Sequence, residues 1–183
     1  MSKAFKVSLK KNPSIVTKVI PGHFTTSHSH LTHYLDLDNL KTNSSLARAV
    51  AVEFARPYFA KTLVDTIVCT EGTELIGAYL AEELKRDGIS VMNSGKEIYV
   101  VTPLNNVNRQ LTFQSNIQEL IVGHNVILLT TSISSGITIK SALDCLAYYG
   151  VNLVGISALF NSFTKDLDHE INYLFTEEDI PGY

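Results

Sequence analysis

The sequence predicts an α/β domain: a doubly wound, mainly parallel sheet flanked by helices, with a small N-terminal hairpin as a hood. Three observations predict it. Short runs that are nearly all apolar recur along the chain, as in Val126-Ile-Leu-Leu129 and Leu153–Phe160. A strand of that kind is buried on both faces, which a parallel sheet covered by helices provides. Between those runs lie stretches in which apolar residues repeat at helical spacing. One apolar run passes directly into a turn rich in serine, threonine and glycine and then into a helix.

Taken in order, the chain opens with a mixed leader, and residues 22–37 (GHFTTSHSHLTHYLDL) read as extended hairpin material. Residues 44–61 read as a helix, capped by Ser44 or Ser45, carrying Leu46, Val50 and Phe54 on one face and kinked or ended at Pro57. Leu63–Cys69 is a strand rich in β-branched residues, and a helix over about 73–86 follows, closed by Asp87-Gly88. Ile98–Val101 and Asn125–Leu129 are the next strands, and 102–116, rich in Asn and Gln, reads as a long loop or hairpin. A helix from about Ile137 to Tyr149 ends at Gly150, and Leu153–Phe160 and Ile171–Phe175 complete the strands. The expectation is one domain over 1–183, with 1–43 as the hood and 44–183 as the core.

Composition narrows the function classes. The chain has 183 residues, of which 45% are hydrophobic and 18% charged, enough to bury a substantial core. Net charge is −3, with the basic residues scattered, which argues against a nucleic-acid partner because backbone affinity needs a concentrated cationic face. No apolar run is long enough to span a bilayer, and the first residues lack the apolar stretch of a signal peptide, so a cytoplasmic location is the expectation. Cys69 and Cys145 stand far apart in apolar surroundings and read as core filling.

The chemistry concentrates at Thr130-Thr131-Ser132-Ile133-Ser134-Ser135-Gly136-Ile137-Thr138. A turn between a buried strand and a helix presents backbone N–H groups at the helix N-terminus, where partial positive charge favours a phosphate. Ser132, Ser134, Ser135 and Thr138 add hydroxyl donors, Gly136 permits a tight backbone, and Ile137 begins the helix. The competing reading is an N-cap with extra serines. Neither GxxxxGK[ST] nor GxGxxG is present.

This segment resembles the phosphoribosyl-diphosphate (PRPP) motif of the type I phosphoribosyltransferases, in which four apolar residues, two acids and two variable residues precede a Thr-Thr-Gly-Gly-Thr-like turn. The apolar run, the hydroxyl pair Ser134-Ser135, Gly136 and Thr138 match it without gaps. Asp65–Ala81 is similar to that family's strand, pyrophosphate loop and helix, with Thr70, Glu71, Gly72 and Thr73 in the loop. Gly22–Tyr34 is similar to the N-terminal hairpin of orotate phosphoribosyltransferases.

The resemblance implies a type I phosphoribosyltransferase-like fold, a 5′-phosphorylated ribose ligand (PRPP or a nucleoside monophosphate), Mg²⁺ if PRPP is bound, and a homodimer. It also marks departures. Thr130 and Thr131, which would meet the ribose, stand where the family has carboxylates. A neutral hydrogen bond nets about 0.5–1.5 kcal/mol against about 1.5–3 for a charge-assisted one. The fixed negative charge that would stabilise a cationic ribose C1 is also lost there. Glu71 is a candidate relocated carboxylate. Arg109, the only Lys or Arg between Lys96 and Lys140, is either the candidate catalytic cation or a solvated surface residue. Ser27 occupies the lysine position of the orotate hairpin, which argues against orotate. The expected function is therefore ligand binding with transferase activity weak or lost; the alternative is an active phosphoribosyltransferase acting on a nucleobase with Mg-PRPP.

His23, His28, His30 and His33 crowd the hairpin. His28 and His30 would share a strand face and could grip a divalent ion, but no carboxylate or cysteine is interleaved. No metal site is expected; the cluster reads as a polar hairpin near the mouth of the site, and a neutral histidine contacting a nucleobase or phosphate is favoured over a bound ion.

Overall fold

The computed structural model describes residues 4–25, 30–89, 91–104, 110–165 and 167–180, with 22–25 and 30–34 as backbone only. Two sheets organise it. Strands β1 (Phe5–Ser8), β2 (Val16–Thr25) and β3 (His30–Asp36) form an antiparallel sheet in the order β1-β2-β3. The hood is therefore a three-stranded sheet rather than a hairpin confined to 22–37. Its first strand was legible in the alternation Phe5-Lys6-Val7-Ser8, whose residues alternate between half-buried and exposed. Pairing between β2 and β3 slips between Pro21 and Phe24, where proline has no N–H to donate.

Two helices follow, α1 (Asp38–Thr42) and α2 (Ser44–Ala55), and a 3₁₀ turn at Arg56–Tyr58 carries Pro57. The cap of α2 is Asn43, not Ser44 or Ser45: its side chain accepts from the Leu46 N–H at 3.1 Å. Asparagine satisfies that N3 amide while its own backbone stays extended, which leaves both serines inside the first turn.

The second sheet holds β4 (Thr66–Cys69), β5 (Tyr99–Val101), β6 (Asn125–Ile133), β7 (Asn152–Asn161) and β8 (Ile171–Phe175), all parallel, in the order β5-β4-β6-β7-β8. Helices α3 (Glu74–Leu84), α4 (Ser115–Gln118) and α5 (Ile137–Tyr148) complete the core. Alternation along the strands feeds two apolar clusters. Ile67 and Cys69 of β4 and Ile127 and Leu129 of β6 pack with α2 and α3 on one face. Val68, Val126 and Leu128 pack with α5 on the other. Burying each such side chain fully contributes roughly 1.5–3 kcal/mol. Ile15 and Val19 enter the first cluster and fasten the hood to the core.

Within 102–116, Leu104 and Thr112 form an antiparallel bridge, and the chain after Thr112 runs into α4. Among the described residues, no helix is long and apolar enough to cross a membrane.

Candidate functional site

The strand order fixes where a ligand can sit. Strand β4 leads through α3 to β5 on one side, and β6 leads through α5 to β7 on the other. The two connections diverge, and a crevice opens beyond the carboxyl ends of β4 and β6, the switch point at which open α/β sheets bind ligands. A cavity of about 400 Å³ lies there, between the turn after β4 and the turn after β6, with Thr102, Leu104 and Leu111 along its side.

The structure brings most of the sequence-predicted residues to this cavity: Thr70, Glu71, Gly72, Thr130, Ser132, Ser134, Ser135, Gly136 and Thr138 all line it. Thr73, Thr131 and Ile137 are outside the lining. Thr73 is fully buried and its hydroxyl donates to the Thr70 and Leu129 carbonyls at 2.8 and 3.2 Å, pinning the loop to the end of β6. Ile137 points outward and is 49% exposed. Arg109 and His28 lie outside the described residues, as do the side chains of His23, His30 and His33.

Strand β6 continues to Ile133, four residues beyond the end expected at Leu129, because β7 pairs with it as far as Ile133↔Asn161. Thr130, Thr131 and Ser132 are thus strand residues, and the turn proper is Ser134–Gly136. Gly136 is the N-cap of α5 with φ 84°. A side chain at this position would be strained, and its Cβ would lie 2.8 Å from Cζ of Phe163. Glycine brings no capping group. Ser135 Oγ accepts from the Ile137 N–H at 3.4 Å, and the first intrahelical bond is donated by Lys140 to Gly136. The turn therefore opens the N-terminus of α5 toward the cavity, with the exposed Ser134, Ser135 and Thr138 beside it.

Opposite stands Glu71. It adopts a left-handed backbone with φ 57° although it is not glycine, followed by Gly72 at φ 81°. That conformation aims its side chain across the crevice, where Oε2 accepts from the Thr131 and Ser132 N–H groups, each at 3.2 Å. Its carbonyl accepts from Thr131 Oγ1 at 2.9 Å and from Lys41 Nζ at 3.0 Å. A carboxylate thus lies against the backbone at residues 131–132, where the sequence itself carries none. The spacing of Lys41 and Glu71, thirty residues apart, gave no signal of this. Glu74 also lines the cavity, its Oε1 accepting from Thr102 Oγ1 at 3.4 Å. The lining includes no lysine or arginine among the described residues.

Cys69 borders the cavity and is fully buried. Burial pushes its thiol up to about 12, with Glu74 adding to the rise and a Thr73 hydrogen bond opposing it. It stays protonated at neutral pH and is no nucleophile. Cys145 is only half-buried, and its sulfur accepts from the Leu111 N–H at 3.4 Å.

Solved structures share this architecture. UMP synthase of Leishmania donovani superposes with a TM-score of 0.63 at 19% identity over 87% of this chain. Orotate phosphoribosyltransferase of Mycobacterium tuberculosis H37Rv gives 0.60 at 14% identity, covering 88% of this chain and 90% of that one. Adenine phosphoribosyltransferase of Rhodothermus marinus gives 0.59 at 12% identity, covering 87% and 93%. The fold is that of the type I phosphoribosyltransferases. This chain spans 34% of the length of the UMP synthase. The sequence matches no protein-family model and no curated protein. Similarity to the orotate and adenine enzymes is nearly equal, so the phosphoribosyltransferase fold carries no preference for either base.

Proposed function

We propose that this protein binds a 5′-phosphorylated ribose, PRPP or a nucleoside monophosphate, with transferase activity weak or lost. The observation that carries the reading is the turn Ser134–Gly136. It opens the amino end of α5 into the switch-point cavity with three exposed hydroxyls around it and no side chain at the N-cap. A phosphate seated there would accept the backbone N–H groups of the first helical turn and hydroxyl bonds from Ser134, Ser135 and Thr138. Thr130, on β6, would serve the ribose, and Thr70–Gly72 would border the C1 side; Thr131, its hydroxyl bonded to the Glu71 carbonyl, would act only through that loop.

Weak transfer follows from the charge pattern. Thr130 and Thr131 are neutral, and the lining offers a departing diphosphate no cation among the described residues. Mg²⁺ would supply that charge. Among the described residues no three His, Cys, Asp or Glu side chains converge on one point. An ion would therefore be shared between Glu71, Glu74 and the ligand's own oxygens.

Glu71 favours a second reading, an active transferase acting on a nucleobase with Mg-PRPP, because it returns a carboxylate to the 131–132 backbone. Arg109 would be its catalytic cation. Thermal shift with PRPP, nucleoside monophosphates and Mg²⁺, then pyrophosphate release across the common bases, separates the two. Stabilisation without release is the expected result; turnover at ordinary enzyme rates of about 1–1000 s⁻¹ would establish the second reading. No stabilisation by any of these ligands would remove the phosphate site. A homodimer is also proposed, and light scattering on the purified protein tests it.

A further inference from the structure

The two walls of the cavity differ in charge, and that difference selects among phosphorylated riboses. On one wall the α5 turn offers hydroxyls and helix-end amides. On the other, Glu71 is fixed rather than free. Its backbone is held by Lys41 and Thr131, and its Oε2 lies on two amides of β6. Those amides are the donors that an incoming anion would otherwise use on this side, and they already have an anionic partner built into the chain. Glu74 adds a second carboxylate to the same wall, the lining supplies no lysine or arginine among the described residues, and Lys41 behind the loop is itself paired with Asp38 at 3.3 Å.

We infer that Glu71 is a specificity-determining residue. It occupies the β6 amides and makes the site accept a ribose with a single 5′-phosphate while rejecting one that also carries a diphosphate at C1. This rests on the reading above that the α5 turn holds the 5′-phosphate. A second anionic group directed at the 70–74 wall meets two solvent-exposed carboxylates. Like charges at a protein surface repel more strongly than in bulk water. A neutral sugar hydroxyl or a base edge meets the same wall as a hydrogen-bond donor to Glu71 and Glu74, and is welcomed.

The test compares ribose 5-phosphate with PRPP. They share sugar and 5′-phosphate, differ at C1 and carry no base. Isothermal titration calorimetry on the full chain, in EDTA to remove divalent ions, should give wild-type affinity for ribose 5-phosphate at least tenfold above that for PRPP. Glu71→Gln keeps an acceptor oxygen for the amides while removing the charge. It should shrink the ratio at least fivefold, mainly through tighter PRPP binding. Equal or tighter binding of PRPP by the wild-type protein overturns the inference, as does a ratio unchanged in Glu71→Gln. Absence of any ribose 5-phosphate binding overturns the phosphate site beneath it as well. The wild-type ratio is decisive by itself if the variant does not fold.

Discussion

Strand β4 has a carboxylate near each of its ends, and each reaches across to the backbone of β6. Before the strand, Asp65 Oδ2 accepts from the Asn125 N–H, where β6 begins, at 2.8 Å. After the strand, Glu71 Oε2 accepts from the Thr131 and Ser132 N–H groups, toward the other end of β6. The surroundings separate them. Asp65 is ion-paired with Lys96 through Oδ1 and lies 3.5 Å from His124 Nδ1 through Oδ2. Glu71 meets Lys41 only through its backbone oxygen, and its carboxylate faces a cavity. Similar acids making similar bonds to one strand thus differ in setting: one is ion-paired at the amino end of the sheet, the other faces a cavity at the carboxyl end.

The largest expected effect tests whether the carboxyl end is free of structural duty. Gly136→Ala adds a Cβ against Phe163 in a left-handed backbone. Conformational strain of about 1–2 kcal/mol and overpacking of about 1–3 kcal/mol combine. The melting temperature should fall by on the order of 10 °C. A shift within 2 °C would mean that the turn repacks freely.

Next comes the amino end. Asp65→Ala leaves the Asn125 N–H and Lys96 without their carboxylate and should cost roughly 1–2 kcal/mol, read as a lower urea midpoint, with no change in ligand affinity. Altered affinity would show that the two ends are coupled.

The acid response sharpens the contrast further. Burial pushes the Asp65 carboxyl up, but the Lys96 hydrogen bond, the Asn125 amide and the charges of Lys96 and His124 outweigh it, and its pKa is lowered. A lowered folded-state pKa gives stability that is complete above the unfolded value of about 3.9 and is lost as pH falls through the folded one. The difference in melting temperature between wild type and Asp65→Asn should therefore be constant from pH 7 to 5 and shrink below about pH 4. A constant difference down to pH 2.5 would remove the ion pair as its source.

The smallest structural effect belongs to Glu71→Gln. An amide oxygen still accepts from β6, so stability should change by only about 0.5–1 kcal/mol in urea unfolding. A loss above about 2 kcal/mol would make Glu71 a fastening like Asp65.

Legibility followed the range of the interaction. Strands β4, β6, β7 and β8 were readable because their burial is written in consecutive residues. The α5 turn was readable because Ser134, Ser135, Gly136 and Thr138 are neighbours. The length of β6 was not: Thr130, Thr131 and Ser132 look like turn residues and are held extended by β7. The Asn43 cap was hidden by two serines that are equally good caps in isolation. Glu71 was legible only as a candidate relocated carboxylate: its bonds reach amides sixty residues away and its left-handed backbone is one that glutamate does not advertise.

The uneven lengths of β4 and β6 have one more consequence. Pairing with β4 ends at Cys69↔Leu129 while β6 runs on to Ile133, leaving a step in the sheet where one margin of β6 is bare. Unpaired strand margins recruit other chains and seed aggregation, and proteins blunt them with charge. Glu71 lies on that margin, takes its donors and coats it with negative charge. The carboxylate that faces the cavity thus also closes the stretch of β6 that β4 leaves unpaired.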